Sequence, residues 1–471
     1  MRTPNLLATR WGRMTTFFFL YMSEGLPFGF TSIALAAEMR TQGVSPTNIG
    51  LFTASLSLPW TWKWIMGPFV DVFSSDRYGR RRTWILVAQV LMIATLLTAV
   101  PIDFTANLKL LIGVMIIHNI FAATQDVAID ALACGILHEN ERGMGNGFMF
   151  AGAWLGSGLG GSGALYLLDY TSLPSTFFVI ASSILLISFL VVLPMREPKS
   201  KPASDGQMSR WQHFIGGLKD RVVTVSILFI SFLVVLPKPA SRINQFFGEL
   251  QEYVSSVAKA ISSSRAAMAG FVFGLFPTGA YALSSTLQST LSVELLVDRK
   301  AVADLNMAST IVTALGCVAG GLMSDRFGRR KMLAIYVLVT AIPTLWFASV
   351  MSNHGWVHPI SIDAADRPVP SPALLQSFWI AILVFGVFHG LLTGTRVALF
   401  MDLCTPEVAT TQFTAYMSML GLGITYSAAW QGYAIDQWGY PTTLKIDAGL
   451  GLVCLLLLPL MAKRKPGPAT L

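Results

Sequence analysis

The sequence predicts an all-α integral membrane protein: twelve membrane-spanning helices in two pseudo-symmetric six-helix bundles, with helices of a central linker lying at the cytoplasmic interface. Three observations predict it. The 471 residues are 53% hydrophobic and only 12% charged, about half the charged share of a soluble domain. Apolar runs of about 20 residues, each long enough for roughly 30 Å of hydrocarbon, recur along the whole chain. Lys and Arg collect in alternate connections: Arg2, Arg10 and Arg13; Arg77 and Arg80 to Arg82; Arg196, Lys199 and Lys201; Arg326, Arg329, Arg330 and Lys331; Lys463 to Lys465. This positive-inside pattern puts both termini in the cytoplasm and accounts for the net charge of +8 without nucleic acid. No stretch remains for a soluble catalytic domain, so an enzyme is not expected.

The N-terminus, MRTPNLLATRWGR, is basic. The apolar stretch after it is too long for a signal-peptide core and contains Glu24, so it reads as a retained first helix. Spans near 14–37, 48–70, 84–101, 108–135, 144–168 and 176–194 form an N-terminal bundle over 1–194. Spans near 266–286, 301–323, 331–350, 374–402, 409–433 and 441–461 form a C-terminal bundle over 266–471. The linker, 195–265, carries SILFISFLVVLP at 226–237, a near copy of SILLISFLVVLP at 183–194. It is followed by an amphipathic segment with Ile243, Phe246, Phe247, Leu250 and Val254 on one face. The basic connections on either side must share one face of the membrane, so the linker crosses an even number of times. No crossing, with both pieces at the interface, is the preferred reading; a two-span hairpin is the alternative.

Polar residues inside the spans mark function, because an ionised carboxylate at mid-bilayer costs about 2.5 to 3.5 kcal/mol even on the lenient insertion scale. Asp126 and Asp130, in ATQDVAID, stand about 40° apart on the fourth helix, flanked by Asn119 and Gln125. The stripe they form faces inward; the pair either titrates during transport or forms a salt-bridge lock. His118, on the same helix, is a possible proton carrier or a packing residue. Glu24 lies beside Gly25 and Pro27, which loosen the helix at depth as broken helices do around transport sites. It can bind and release a proton in each cycle, or pair statically with Lys63. Lys63 sits among Trp60, Trp62 and Trp64, and either lines the cavity or snorkels to the interface. His389 and Arg396 in the tenth helix and Gln412 and Tyr416 in the eleventh complete the cavity candidates. In the fifth helix, Gly152, Gly156 and Gly160 make a smooth face for close packing. Cys134, Cys317, Cys404 and Cys454 have no metal-type spacing, and no metal or cofactor is expected.

The halves repeat one loop: GPFVDVFSSDRYGRRR at 67–82 and GGLMSDRFGRRK at 320–331. Gly79 and Gly328 allow tight turns. The aspartate can cap a neighbouring helix while the arginines sit at helix C-termini. Asp71, Asp76, Arg77, Arg80, Asp325, Arg326 and Arg329 are therefore candidates for a cytoplasmic gate, with Asp71 and Asp76 both open as the first cap; Glu141 and Arg142, outside both loop copies, are further gate candidates. Repeated at equivalent junctions, this loop resembles that of the major facilitator superfamily.

A narrower resemblance is carried by GLPFGFT (25–31), IGLF (49–52), KWIMGPFVD (63–71), GRRRTW (79–84), ATQDVAIDALA (123–133), ERGMG (141–145) and ATTQFTAYMSMLG (409–421). It is similar to the muropeptide permeases of the AmpG type and the related acetyl-CoA transporters. On that pattern fall Lys63, Asp71, Gln125, Asp126, Asp130, Glu141, Arg142, Gln412 and Phe413; Glu24, His118, Asn119 and Arg396 do not. The resemblance implies a proton-coupled importer of a large polar solute such as an anhydromuropeptide, working by rocker-switch alternating access as a monomer in a bacterial inner membrane. Its partners are the solute, protons and the lipid bilayer. A siderophore or acetyl-CoA carrier, a drug or metabolite exporter, and a non-transporting receptor are the competing readings. The sequence holds no GxxxxGK[ST] phosphate loop, which argues against direct ATP drive.

Overall fold

A computed structural model describes residues 5–44, 46–67, 70, 79–198, 255, 258–259, 261–262, 264–360, 367–405 and 408–462. The expected interfacial helices and the copy at 226–237 lie outside the described residues, as do Asp71, Asp76 and Arg77.

The first helix, α1 (Arg10–Gly29), opens on the Thr9 hydroxyl, which accepts from Gly12 N at 3.1 Å. It continues through a π-helical turn, Phe30–Leu35, to Ala36–Thr41. The loosening expected at Gly25 and Pro27 is displaced to this turn: α1 stays helical through Pro27, and Phe30 N bonds the carbonyls of both Leu26 and Pro27. Then come α2 (Pro46–Thr61), α3 (Arg80–Ala99) and α4 (Leu108–Ile136). The next helix, α5 (Arg142–Gly158), runs on through Leu159–Gly163 and Ala164–Leu168, and α6 (Leu173–Ile187) ends in a π-helical turn, Ser188–Val192.

The second six begin with a correction. A continuous seventh helix is expected over 266–286, but the structure has two pieces, α7a (Arg265–Leu275) and α7b (Ser285–Glu294). Pro277 explains the break: the residue before a proline is forced out of the helical region, and Phe276 adopts φ −83°, ψ 143°. Gly279, with φ +78°, completes the unwinding. There follow α8 (Arg299–Phe327), α9 (Arg329–Asn353) and α10 (Pro372–Leu403). A final run, Ala409–Val453, bends at Gly439 (φ 78°, ψ 171°) into α11 (409–438) and α12 (440–453).

The described residues thus form twelve spans and no strand. Among the described residues seven helical runs, counting Ala409–Met461 across its bend as one, are long and apolar enough to cross a membrane. Large apolar side chains such as Leu185, Leu186, Phe189, Leu190, Leu315 and Ile342 are exposed on the outer faces, as a lipid-facing surface requires. One buried cluster, with Phe30, Phe52 and Phe177, fills the first six helices. A second, with Phe347, Phe378 and Tyr440, fills the last six. A third, including Met144, Leu392, Phe400 and Met401, runs along the seam between them.

The glycines of α5 set that seam. A Cβ on Gly152 would stand 2.0 Å from the Phe18 carbonyl oxygen, and one on Gly160 1.9 Å from that of Leu26, so α1 lies against α5 backbone to backbone. On α5's other flank, a Cβ on Gly147 would stand 2.5 Å from the Cys317 carbonyl oxygen of α8. The expected smooth face is present, and α5 is held between a helix of its own half and one of the other.

Candidate functional site

Pro59 ends the regular part of α2, and Trp62 N falls back to the Pro59 carbonyl at 3.3 Å. The 3-10 turn that follows, Lys63–Ile65, turns Lys63 inward to 5% exposure, while Trp62 and Trp64 stay exposed. Snorkelling is therefore ruled out for Lys63. Its Nζ donates to Asp126 Oδ2 at 2.5 Å and lies 3.9 Å from Asp130 Oδ2. The Tyr21 hydroxyl of α1 donates to Asp130 Oδ1, also at 2.5 Å. Glu24, one turn along α1, is close enough to feel the charges of Asp126, Lys63 and Asp130, and its buried Oε2 has no hydrogen-bond partner. The expected static pair of Glu24 with Lys63 does not form; the lysine goes to the two aspartates instead. One ammonium thus serves two carboxylates, with a third, Glu24, nearby and unpaired by it.

The rest of the α4 stripe divides among neighbours. Asn119 Oδ1 accepts from Trp60 Nε1 at 3.2 Å, and His118 Nδ1 lies 2.9 Å from the Thr95 hydroxyl of α3. Gln125 donates to the Ser23 hydroxyl at 3.2 Å, as does Gln89 of α3. These contacts tie α4 to α2, α3 and α1, so His118, Asn119 and Gln125 flank the charged cluster without joining it.

A second polar centre belongs to the last six helices, and sequence reasoning found only part of it. Four consecutive amides of the unwound segment between α7a and α7b, Gly279 to Ala282, are satisfied one by one. Gly279 N donates to the Gly451 carbonyl at 3.1 Å and Ala280 N to the Thr340 hydroxyl at 3.3 Å. Tyr281 N and Ala282 N donate to Asp447 Oδ2 at 2.7 and 2.8 Å, while Gln431 Nε2 donates to Asp447 Oδ1 at 2.6 Å. Irregular backbone at membrane depth persists only where its polar groups are paired in this way. The segment presents the Tyr281 hydroxyl to Arg396 Nη1 of α10 at 3.0 Å. His389 stacks on Phe385 (ring centroids 5.5 Å apart) and takes the edges of Tyr281 and Trp154 at 5.8 and 5.9 Å. Asp447 was legible as an acid within an apolar run, and Pro277 with Gly279 as a break.

Gln412 and Tyr416 are brought to a different place. Gln412 Oε1 accepts from Thr405 N and its amide donates to the Tyr416 hydroxyl, both at 2.8 Å; that hydroxyl reaches the Ala267 carbonyl at 3.3 Å. They brace the α10–α11 turn against α7a, and their polar atoms face one another.

At the end that carries the repeated loops, the two halves are locked. Asp325 accepts from Gly143 N and Met144 N at 2.9 and 2.8 Å, capping α5 from the other half as the second loop copy predicts. Arg329 bonds Asp325 at 2.8 Å and also reaches Asp402 and the Glu139 carbonyl, while Arg142 bonds Asp402 at 2.9 Å. Asp402, missed in the sequence, is an acid at the C-terminus of α10, where the helix dipole opposes it and a cation must offset it. Arg326 takes no part: it is exposed over the Phe327 ring. Glu141 forms a two-pronged bond with Arg13 at 2.7 and 2.8 Å inside its own half. Burial pushes the Glu141 carboxyl up, but the bonds from Arg13 and from His138 N outweigh it and hold the group below its ordinary value. Gly79 (φ +96°) and Gly328 (φ +93°) make the predicted turns. The start of α3, at Arg80, is capped by Glu197, which accepts from Arg81 N and Arg82 N at 2.9 and 2.6 Å, while the expected cap from Asp71 or Asp76 lies outside the described residues.

Two sets of six helices meeting on glycine-lined seams, with charged clusters buried inside, define a multi-pass membrane transporter of small-molecule solutes. The chain belongs to the Major Facilitator Superfamily, whose family model matches residues 16–277 and 269–471. Among its relatives is the anhydromuropeptide permease of Escherichia coli K12, 22% identical over 447 residues, which are 93% of this chain and 77% of that one. A putative transporter AmpG 1 of Rickettsia felis is 24% identical over 184 residues, 37% of this chain and 42% of its own. Solved structures with the same fold include the human organic anion transporter MFSD10 (TM-score 0.62, 15% identity, 96% of this chain and 100% of that one). The proton:xylose symporter XylE is alike to the same degree (TM-score 0.62, 13% identity, 96% of each chain).

Proposed function

We propose that this chain is a proton-coupled importer of a large polar solute of the anhydromuropeptide class, working by alternating access. The observation that carries the proton coupling is the charge count around Lys63. One buried ammonium faces Asp126 at 2.5 Å and Asp130 at 3.9 Å, with Glu24 beside them. A single cation neutralises one carboxylate; a second ionised one at this depth is uncompensated. Protons on the acids that Lys63 does not offset restore balance while the cluster is shut off from water, and one taken from the outer side is released when the cluster opens inward. The substrate class is supported by the likeness to the anhydromuropeptide permease along 93% of the chain.

In this reading the basic loops and both termini are cytoplasmic, the membrane is a bacterial inner membrane, and the unit is a monomer of two bundles, 1–194 and 266–471, joined by the 195–265 linker. The loop-end network of Asp325, Arg329, Asp402 and Arg142 is the cytoplasmic gate, shut while these bonds hold. Proteoliposomes with an imposed inward proton gradient test the proposal. Labelled anhydromuropeptide should accumulate, a protonophore should abolish accumulation, and Asp126→Asn should lower the proton-driven rate at least about tenfold, as losing an essential proton-transfer group does. No accumulation would overturn the substrate; accumulation insensitive to the protonophore, or Asp126→Asn at the wild-type rate, would overturn the coupling. Parallel arms with a ferric siderophore and acetyl-CoA separate the sister substrates.

A further inference from the structure

Lys63 is matched with acid, and Arg396 is not. Arg396 is 3% exposed, yet among the described residues no carboxylate lies within ion-pair distance of it. Its Nη1 donates to the Tyr281 hydroxyl, and its buried Nε has no partner. The acid facing the α7 break, Asp447, has both oxygens engaged by Tyr281 N, Ala282 N and Gln431. The other titratable groups near the guanidinium are His389 on its own helix, Cys317 of α8 and Cys454 at the end of α12. None of them supplies a counter-charge.

An isolated guanidinium is costly to bury. Its flat fork of donors matches a planar oxyanion better than any neutral group. The surroundings fit an incoming solute: His389, held by Phe385, Tyr281 and Trp154, makes an aromatic wall beside it. Trp154 comes from α5, so this wall is shared by both halves of the bundle.

We propose that Arg396 is the receptor for a carboxylate of the transported solute, fixed in place by the unwound α7 segment through Tyr281, with Asp447 as the positioning residue behind it. The inference rests on the bundle interior being the solute site and narrows the solute to an acid. Lys63, already neutralised by Asp126 and Asp130, does not share the task.

The test uses the purified full chain in detergent, with thermal unfolding and equilibrium dialysis at fixed ionic strength. The probes are succinate and its uncharged diamide. The wild type should bind and be stabilised by succinate but not by the diamide. Arg396→Gln should lose that discrimination, with succinate affinity about 30-fold or more weaker, as expected when one partner of a buried charge pair is removed. Arg396→Lys, which keeps the charge but not the fork, should fall between. Equal response of the wild type to acid and amide, no response to either, or Arg396→Gln binding succinate like the wild type, would each overturn the proposal. If Arg396→Gln does not fold, Arg396→Lys and Tyr281→Phe decide: unchanged succinate affinity in both overturns it, and loss in either supports it. Failure of anhydromuropeptide uptake with succinate discrimination intact would sink the named substrate alone; uptake with discrimination absent would sink the arginine's role alone.

Discussion

Lys63 holds two aspartates, so its removal has a different consequence from the removal of either acid. Truncation to alanine leaves Asp126 and Asp130 buried without a cation, and breaking a buried pair from one side costs about 3–5 kcal/mol. Lys63→Ala is therefore expected to destabilise the fold by that amount in detergent unfolding titrations. Lys63→Met combined with Asp126→Leu, which removes charge from both sides, should recover most of it. A Lys63→Ala protein within about 1 kcal/mol of the wild type would show that the pairing is not what supports α2 against α4. The three charges were visible in the sequence because a charge inside an apolar run is expensive. Their pairing was not, because it depends on the turn after Pro59 that swings Lys63 toward α4. Likewise the sequence offered both an active and a packing role for His118, and the bond to Thr95 ties its ring to α3.

α5 shows how element-level reading succeeds and where it stops. Its four-residue glycine spacing predicted close packing, but not that two helices from different halves share it. A methyl group at Gly152 would meet the Phe18 carbonyl at 2.0 Å, so Gly152→Ala should push α1 away and destabilise by about 1–3 kcal/mol, as overpacking does. The matched control is Gly135→Ala in α4, where nothing lies within 4 Å of the added carbon. That change should be neutral or stabilising by about 0.5–1 kcal/mol, since alanine is the better helix former. Equal effects at both sites in the same unfolding assay would remove the packing explanation. For α7 the hydrophobic length alone suggested one span, because apolar content does not distinguish helix from unwound chain. The information lay in Pro277 and Gly279, and it becomes decisive only with partners from α9 and α12 to satisfy the exposed amides.

At the scale of the molecule, α5 links the two polar centres: Phe150 lies against Tyr21 (ring centroids 5.5 Å) and, one turn on, Trp154 against His389 (5.9 Å). Phe150 moves with Tyr21 inside the first half, so a tilt of one half against the other falls on the Trp154–His389 contact and is felt on the Arg396 side, which is a mechanical route for coupling a proton to a solute. The tilt is restrained at the loop end, where Asp402 bridges Arg142 and Arg329 and Asp325 caps α5 across the seam. Cys317, fully buried where α8 meets Gly147, is a natural reporter of that seam. In a background with Cys134, Cys404 and Cys454 replaced by serine, a membrane-permeant maleimide should label Cys317 slowly. Asp402→Ala combined with Asp325→Asn removes the bridge and weakens the cap, and should raise the labelling rate about tenfold, the factor that 1.4 kcal/mol of population shift gives. Substituting Arg326, which is exposed and outside the network, should leave the rate unchanged. If the double variant labels at the background rate, the ion pairs hold the α5 and α8 ends in register without controlling whether that side opens.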